Sequence, residues 1–396
     1  MKQNPAKSFL QTWFEHIHAL SVEIGPRGST TEGERKGAEY CRSVFHRLGL
    51  NPVLETFISA RSIFHPHLIG SLAMLAAFAL YPQSQGRWWI AALAACVSIA
   101  ALISELQELG FQDNLLRRMV PRGQSQNVFT VIPPSDEHIQ DLILIGHIDT
   151  QRTPLIFRTY RMVELYKSFT TVAFVTFAIQ AVLYVLGAIY QWGWIWYATI
   201  PTALSALLLA AICIEAERSP FTAGANDNAS AVGLVLSLAE QVSKTPLKHT
   251  RVFCVCTGCE EVQHYGAIDF FRRHRSEMKN PQALVFELLG CAGPGWLTRE
   301  GIIVPFYSDP ALVGLAEQLS SQNPNWGAYP VQISGGNSEM ADCVRFKVPA
   351  ITLFGLDRQG KAPFWHQTGD TFDRMDPIVM ENTRAMTCAM IESLDH

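Results

Sequence analysis

Acidic and imidazole side chains follow three apolar runs of this 396-residue chain, at the point where each run ends. The side chains are those of His147, Glu260, Glu261 and Glu287, and the runs are 142–145, 252–256 and 283–286. Open α/β sheets hold their functional sites outside the carboxyl ends of the strands. If these runs are neighbouring parallel strands, the four side chains converge on one crevice. Asp227 and His366 add a carboxylate and an imidazole from loops, and the whole set suits a pair of Zn²⁺ ions.

His147 and Asp149 lie two positions apart in the segment Gly146–Thr150. Alternate residues of an extended segment project to the same side, so we expect the Asp149 carboxylate to hydrogen-bond the imidazole and fix its tautomer. Taken alone, the motif is more typical of a structural histidine whose hydrogen bonds are satisfied.

Asp227 lies in the polar loop 224–230, which leads into a predicted helix. Asp or Asn at such a position usually caps the helix. The functional alternative is a carboxylate that bridges two metal ions.

Glu260 and Glu261 are adjacent carboxylates at a strand end, and they repel each other unless cations or protons offset their charge. A metal ligand beside a general base accounts for both residues, whereas a solvated acidic turn is the simpler alternative. His366, in the polar turn 364–371, is by itself an ordinary loop histidine.

Composition excludes some classes of function. The net charge of −4 and the pI near 6.3 argue against a nucleic-acid partner. The nine cysteines are odd in number and show no disulfide framework, which favours a reducing compartment.

Three long runs contain no Asp, Glu, Lys or Arg: 62–86, 88–104 and 168–214. A bilayer core requires about 20 apolar residues per helix, so the last run holds two spans with a turn near 191–194. We predict four transmembrane helices in two hairpins. Buried helices of a soluble core are the alternative, and they would require complete burial of an all-apolar surface.

The rest of the chain alternates between predicted helices and strands, which indicates an α/β sheet domain. The predicted helices are 9–20, 34–48 and 229–242, and the predicted strands are 51–59, 127–132 and 142–145, besides the runs above. The lipid segments are insertions into this one domain. The predicted parts are catalytic domain 1–61, transmembrane hairpin 62–105, catalytic domain 106–167, transmembrane hairpin 168–216 and catalytic domain 217–396.

Each hairpin leaves and returns on one side of the bilayer, so the catalytic domain lies on a single face. Basic residues near the span ends concentrate on that face, and only Arg87 lies opposite. They are Arg61, Arg117, Arg118, Arg122, Arg152, Arg158, Arg161, Lys167 and Arg218. The positive-inside rule therefore predicts a multi-pass integral membrane protein with a cytoplasmic catalytic domain.

The chemical motifs, in this order, resemble the di-zinc aminopeptidase family that includes bacterial leucyl aminopeptidase, glutamate carboxypeptidase and glutaminyl cyclase. The similarity covers about 15–60, 125–150 and 220–396. The segments Ile24–Arg27, Ser338–Glu339 and Val348–Ile351 also match it. The resemblance implies a zinc exopeptidase-like α/β fold, a three-layer sandwich with a mostly parallel mixed sheet, here with four inserted transmembrane α-helices.

The resemblance also implies a role for each site residue. His147 and Glu287 bind one zinc ion, Glu261 and His366 bind the other, and Asp227 bridges both. Glu260 is the general base, and Asp149 supports His147. Co²⁺ or Mn²⁺ can replace zinc with such ligands.

The chain departs from the family pattern at three positions. Glu287 and Glu339 stand where Asp is more frequent, and Gln263 replaces a small residue after the glutamate pair. Every metal ligand of the family has a counterpart in this chain.

These residues predict a membrane-anchored di-zinc metallopeptidase, an aminopeptidase that hydrolyses N-terminal peptide bonds. Its expected partners are a peptide or amide substrate and the lipid bilayer. One alternative is an amidohydrolase or acyltransferase acting on a lipid-linked amide, which the inserted spans motivate. The other is a non-catalytic receptor with a hydrolase fold.

Overall fold

A computed structural model describes residues 7–395 of the chain. Residues 1–6 and 396, which belong to the first and last parts of the predicted catalytic domain, lie outside the described residues. By its internal contacts the chain divides into two units, which we call the sheet unit and the helical unit. The sheet unit comprises 1–59, 123–152 and 221–396, and the helical unit comprises 60–122 and 153–220.

The strands of the described residues form one mixed sheet. They are β1 (Val53–Ala60), β2 (Arg122–Ile132), β3 (Gln140–His147), β4 (Thr250–Thr257), β5 (Gln282–Glu287), β6 (Gly295–Glu300), β7 (Phe306–Tyr307), β8 (Tyr329–Gln332) and β9 (Ala350–Phe354). Their order is β1-β2-β4-β3-β5-β9-β6-β7, with β8 beside β6. The central strands β4, β3, β5 and β9 are parallel, and antiparallel pairs occur only towards the edges.

The α-helices of the described residues are α1 (Phe9–His18), α2 (Glu32–Arg47), α3 (Phe64–Leu80), α4 (Trp88–Leu109), α5 (Leu115–Met119), α6 (Tyr160–Tyr190), α7 (Ile195–Ala198), α8 (Ile200–Arg218), α9 (Ser230–Lys244), α10 (Tyr265–His274), α11 (Pro310–Gln322), α12 (Met340–Arg345) and α13 (Pro377–Ser393). Side chains cap the first two. Ser8 forms a reciprocal capping box with Gln11, and Thr31 accepts from the backbone N–H of Glu34.

Alternate strand residues pack into two separate hydrophobic clusters. On β3, Leu142 and Leu144 join the cluster formed with α1, α2, α9, α11 and α13. Ile143 and Ile145 join the cluster formed with α10 and α12. Helices therefore cover both faces of the sheet. The predicted three-layer α/β sandwich with a mostly parallel mixed sheet is confirmed.

The helical unit contains four helices that are long and apolar enough to cross a membrane: Phe64–Ser84, Trp88–Leu109, Tyr160–Tyr190 and Ile200–Arg218. They match the four predicted spans, and the turn at 191–194 is where the sequence places it. The third helix begins at Tyr160, before the charge-free run, because Thr159 caps it there and its first turns tolerate charged side chains.

Two predicted elements differ in length from the structure. The first helix ends at His18 and continues as a π-helical turn, Ala19–Ile24. Strand β2 begins at Arg122, five residues before the predicted strand. Its first residues, Arg-Gly-Gln-Ser-Gln, are polar, so hydrophobic patterning does not reveal them.

Candidate metal centre

Two of the predicted site residues are the last residues of central strands. His147 is the last residue of β3 and pairs with Thr257, the last residue of β4. Glu287 is the last residue of β5, which pairs in parallel with β3 on its other side. The three strands are therefore parallel neighbours, and the segment with Glu260 and Glu261 follows the same sheet edge.

The loop that carries Asp227 is fixed by a second carboxylate. Asp370 accepts the backbone N–H of Asn226 at 2.6 Å and that of Asp227 at 3.0 Å. The loop begins at Gly224, whose positive φ of 60° and close neighbours exclude a side chain. These contacts set the backbone direction from which the Asp227 side chain enters the site.

The Arg27 side chain also holds this loop, by hydrogen bonds to backbone carbonyls. Its buried guanidinium donates to the carbonyls of Ala223 and Gly224 in the loop and to that of Ile148 beyond β3. A fully buried charge is stable only with such partners. The match of the segment around Arg27 to the family pattern therefore has a structural reason, since Arg27 joins the end of β3, where His147 lies, to the loop that carries Asp227.

Two asparagines connect the same loop to the end of β5. Asn228 donates to the carbonyl of Phe286 and accepts the N–H of Leu288. Asn226 accepts the N–H of Gly290. Because these bonds flank Glu287 on both sides, Asp227 and Glu287 are held in fixed register.

His366 comes from a loop late in the chain. Thr222 donates to the carbonyl of Gln367 at 3.0 Å and thereby ties this loop to the segment that precedes Asp227. The Trp365 ring lies 4.1 Å from the imidazole, centroid to centroid. His366 is 7% exposed, so the imidazole is buried although its loop is polar.

Asp227 lies between two sets of ligand atoms. Its Oδ1 is 3.5 Å from His147 Nε2, which is in turn 3.4 Å from Glu287 Oε1. Its Oδ2 is 3.4 Å from His366 Nε2, which is 3.2 Å from Glu261 Oε2. One oxygen of Asp227 thus faces the ligand atoms of His147 and Glu287, and the other faces those of His366 and Glu261.

These separations fit zinc coordination. Ligands at about 2.0–2.1 Å from a tetrahedral ion are about 3.3 Å from each other. Three sets of buried atoms meet within 4.8 Å among the described residues: His147–Asp227–Glu287, Asp227–Glu261–His366 and His147–Glu260–Glu261. The first two sets share Asp227 and are the ligand sets implied by the resemblance.

Unpartnered oxygens support the same interpretation. Asp227 Oδ2, Glu261 Oε1 and Glu287 Oε1 are buried and accept no hydrogen bond from residues 7–395. A buried carboxylate oxygen without a hydrogen bond is costly, and a cation at this position removes the cost. The residues present therefore fit a bound metal.

The electrostatics of the cluster favour proton retention when no cation is bound. Burial raises the pKa of Glu261 to about 7 and that of Glu287 well above its usual value. Burial alone would lower the pKa of His366, but Glu261 and Asp227 raise it to about 10. A dication that binds here displaces these protons.

Asp149 differs from the expectation in one detail. The hydrogen bond of His147 Nδ1 goes to the backbone carbonyl of Asp149 at 3.0 Å, and the carboxylate is 3.5 Å away. The carboxylate instead accepts the backbone N–H groups of Glu260 and Glu261, at 3.0 and 3.1 Å, and the hydroxyl of Ser29. Two N–H donors stabilise a carboxylate more than one contact to an imidazole does, so Asp149 orients the glutamate pair.

The three departures from the family pattern are buried. Glu339 is fully buried and accepts from the Thr257 hydroxyl at 2.5 Å, and burial raises its pKa to about 8. Gln263 is 4% exposed and adopts a positive φ of 86°, so it lies within the turn after the glutamate pair. Glu287 is 4% exposed and reaches the ligand set with its longer side chain.

Two residues at the site have no counterpart among the predicted ones. His264 contacts Glu260 through Nε2 at 3.0 Å and Asp342 through Nδ1 at 2.6 Å. The spacing Glu260-x-x-x-His264 is a visible signal. It places the two side chains together only because the chain turns sharply between them, and no periodic pattern predicts that turn.

Comparisons with known proteins agree with this geometry. Residues 209–391 match the model of peptidase family M28. No curated protein matches the sequence. Solved structures with a similar fold include the glutaminyl cyclase of Fimbriiglobus ruber, with a TM-score of 0.57 and 14% identity over 99% of this chain and 97% of that one.

Two aminopeptidases are similar to the same degree. The leucine aminopeptidase precursor of Bacteroides thetaiotaomicron has a TM-score of 0.57 and 11% identity over 98% of each chain. The zinc aminopeptidase of Bacillus subtilis has a TM-score of 0.57 and 12% identity over 97% of this chain and 94% of that one. The predicted resemblance to the di-zinc aminopeptidase family is confirmed, and the match to peptidase family M28 supports a peptidase-like hydrolase.

Proposed function

We propose that this hydrolase is a membrane-anchored aminopeptidase that uses two zinc ions. The proposal rests mainly on the position of the Asp227 carboxylate, whose two oxygens face two separate sets of buried ligand atoms. His147 and Glu287 would hold one ion, Glu261 and His366 the other, and Asp227 would bridge them. When bound, zinc lowers the pKa of a coordinated water and polarises the carbonyl of the scissile amide.

Glu260 is placed to act as the general base. Its Oε2 lies 3.7 Å from His147 Nε2, beside the ligand atoms, and it belongs to neither of the two ligand sets that share Asp227. It accepts a proton from the attacking water and later delivers that proton to the leaving amine. Asp149 holds the backbone of Glu260 and Glu261, so both side chains enter the site from a fixed position.

The distribution of polar and apolar side chains in the helical unit supports membrane anchoring. Within 172–190 and 200–214 the exposed side chains are apolar, as at Val182 and Leu204, which are 60% and 62% exposed. Polar side chains face inward, where Gln180 donates to Ser98. Polar groups at membrane depth pair with each other inside a bundle, and apolar side chains face lipid. We infer four membrane spans, with the catalytic residues on the cytoplasmic side.

The inserted spans also favour a second candidate, hydrolysis of a lipid-linked amide. The same base and ligands serve either substrate, because both reactions attack an amide carbonyl. Full-length protein in detergent should therefore be assayed with aminoacyl amides, N-terminally blocked peptides, a peptide with N-terminal glutamine, and acylated amides. Preference for a free N-terminal amine supports the aminopeptidase, and preference for the acylated amide supports the second candidate.

The decisive test of the mechanism is Glu260→Gln. The amide keeps the size of the side chain but accepts no proton, so we expect turnover to fall by at least about 100-fold. Bound zinc, measured by elemental analysis, should remain at two ions per chain. Glu317→Gln, an exposed position on α11, is the matched control and should keep full activity. Unchanged turnover in Glu260→Gln refutes the base, and wild-type protein inactive on every substrate refutes the hydrolase.

A further inference from the structure

His264 lies between Glu260 and a carboxylate on another element. Its Nε2 is 3.0 Å from Glu260 Oε1, and its Nδ1 is 2.6 Å from Asp342 Oδ2. His264 is 3% exposed and Asp342 is fully buried. Asp342 lies in the first turn of α12, on the face of the sheet that this short helix covers together with α10.

The two oxygens of Glu260 have different surroundings. Oε1 faces the His264 imidazole at 3.0 Å, and Oε2 faces the ligand atom of His147 at 3.7 Å. One oxygen is therefore engaged by a buried donor while the other is directed towards the ligand set. A carboxylate held in this way cannot rotate without losing a charge-assisted hydrogen bond.

The backbone builds this contact by an unusual turn. His264 donates its backbone N–H to the carbonyl of Glu260 at 2.8 Å, and its φ is positive, at 57°. Histidine is among the few residues that adopt this conformation with some frequency. The turn brings the imidazole back beneath the carboxylate four residues earlier.

Asp342 in turn fixes the orientation of the imidazole. The short contact to Nδ1 leaves Nε2 to donate to Glu260. Burial alone would lower the pKa of His264, but Glu260 and Asp342 raise it well above its usual value. Both ring nitrogens face carboxylate oxygens and are therefore placed to donate.

We propose that His264, oriented by Asp342, is a positioning residue that holds the Glu260 carboxylate in the geometry for proton transfer. The inference rests on the proposed function, since it assigns Glu260 as the base. The ring nitrogens of His264 contact Glu260 and Asp342, and neither of these residues belongs to the two ligand sets that share Asp227. Its effect should therefore appear in turnover and in the binding of groups that reach Glu260, and not in the affinity for zinc.

The test uses full-length, zinc-loaded protein and four variants. His264→Leu removes both donors while filling the space with an apolar group. His264→Gln together with Asp342→Asn restores a chain of neutral donors, because the new amide can donate to Glu260 and accept from the new asparagine. His264→Gln alone leaves its carbonyl facing Asp342. His274→Leu is the matched control, because His274 is also paired with a glutamate, Glu55, at the far end of α10.

Three quantities should be measured for each variant: kcat and KM separately, zinc affinity by chelator competition, and the Kd of a hydroxamate. A hydroxamate binds zinc through its oxygens and places its proton near the base, so its Kd reports on Glu260 without turnover. In His264→Leu we expect kcat to fall about 10- to 100-fold, which corresponds to the loss of one charge-assisted hydrogen bond. KM and zinc affinity should change less than about threefold, and hydroxamate binding should weaken about tenfold.

The double variant should recover kcat to within about fivefold of wild type, and His274→Leu should leave all three quantities unchanged. Wild-type kcat and hydroxamate binding in His264→Leu overturn the inference, as does zinc loss in that variant. Failure of the double variant to recover any kcat also overturns it. If His264→Leu does not fold, His264→Gln alone must show the kcat loss. Inactivity of the wild type contradicts the proposed function instead, and the hydroxamate Kd then still tests His264.

Discussion

Asp149 supports several site residues at once without being a ligand. Its carboxylate accepts two backbone N–H groups from the glutamate pair, and its carbonyl oxygen accepts from His147. Residues that orient metal ligands typically change metal affinity by 10- to 100-fold when mutated. The position of the pair therefore depends on a side chain that the resemblance assigns to His147 alone.

Asp149→Asn tests this role. The new NH₂ group replaces one acceptor oxygen, so the backbone N–H of either Glu260 or Glu261 loses its hydrogen bond. We expect zinc affinity to fall about 10-fold or more, measured by chelator competition. Asp136→Asn, an exposed position in the turn between β2 and β3, is the control. Unaltered zinc affinity in Asp149→Asn would show that the pair is held by other contacts.

At the residue scale, the sequence indicates the candidate ligands but not the residues that support them. Each candidate ligand follows a recognisable strand or polar loop, and the structure brings all of them together. His264 and Asp342 are separated by 78 positions, and their contact depends on a left-handed turn and on the placement of a short helix. Neither feature has a periodic signature.

The elements that position the site differ in how visible they are in the sequence. Strands β3, β4 and β5 are continuous apolar runs because helices cover both of their faces. The edge strands β6 to β8 are short and carry polar residues such as Arg299 and Gln332, so the sequence indicates only strand–helix alternation there. Their antiparallel and parallel pairing follows from tertiary packing.

Strand β6 also ends on a buried acid that no pattern predicts. Glu300 is fully buried, and its Oε2 accepts the N–H and the hydroxyl of Ser338 at 3.0 and 2.8 Å. Burial raises the pKa of Glu300 to about 8 from 4.5. Between these pH values the folded chain holds a proton that the unfolded chain has released, so stability falls as the pH rises.

Glu300→Gln should remove this pH dependence. The amide oxygen can accept both bonds from Ser338, and the side chain no longer ionises. Between the two pKa values, each pH unit lowers the free energy of unfolding of the wild type by about 1.4 kcal/mol, and the variant does not lose this stability. We therefore expect the variant to gain apparent Tm relative to wild type between pH 5.5 and pH 8.5, measured by thermal unfolding in detergent. Glu317→Gln should show no such gain, and a constant difference across pH would contradict a neutral Glu300.

On the scale of the whole molecule, the chain combines two units with opposite polarity. The sheet unit buries apolar strands beneath helices, whereas the long helices of the helical unit expose apolar side chains. Composition and charge-free runs predict the four long helices, because a span requires only length and the absence of charge. The predicted orientation of the spans rests on the distribution of arginines near the span ends.

Cysteine labelling of intact cells tests that orientation. Gln85 and Gln191 lie in the two turns that join the long helices in pairs, and Asp136 lies in the sheet unit. If the basic span ends are cytoplasmic, Gln85→Cys and Gln191→Cys should react with a membrane-impermeant maleimide in intact cells. Asp136→Cys should react only after permeabilisation. The unmodified chain, with its nine native cysteines, supplies the background. The reverse pattern would place the catalytic residues outside the cytoplasm, and labelling of all three positions in intact cells would contradict a membrane-spanning helical unit, because each hairpin must separate its turn from its ends.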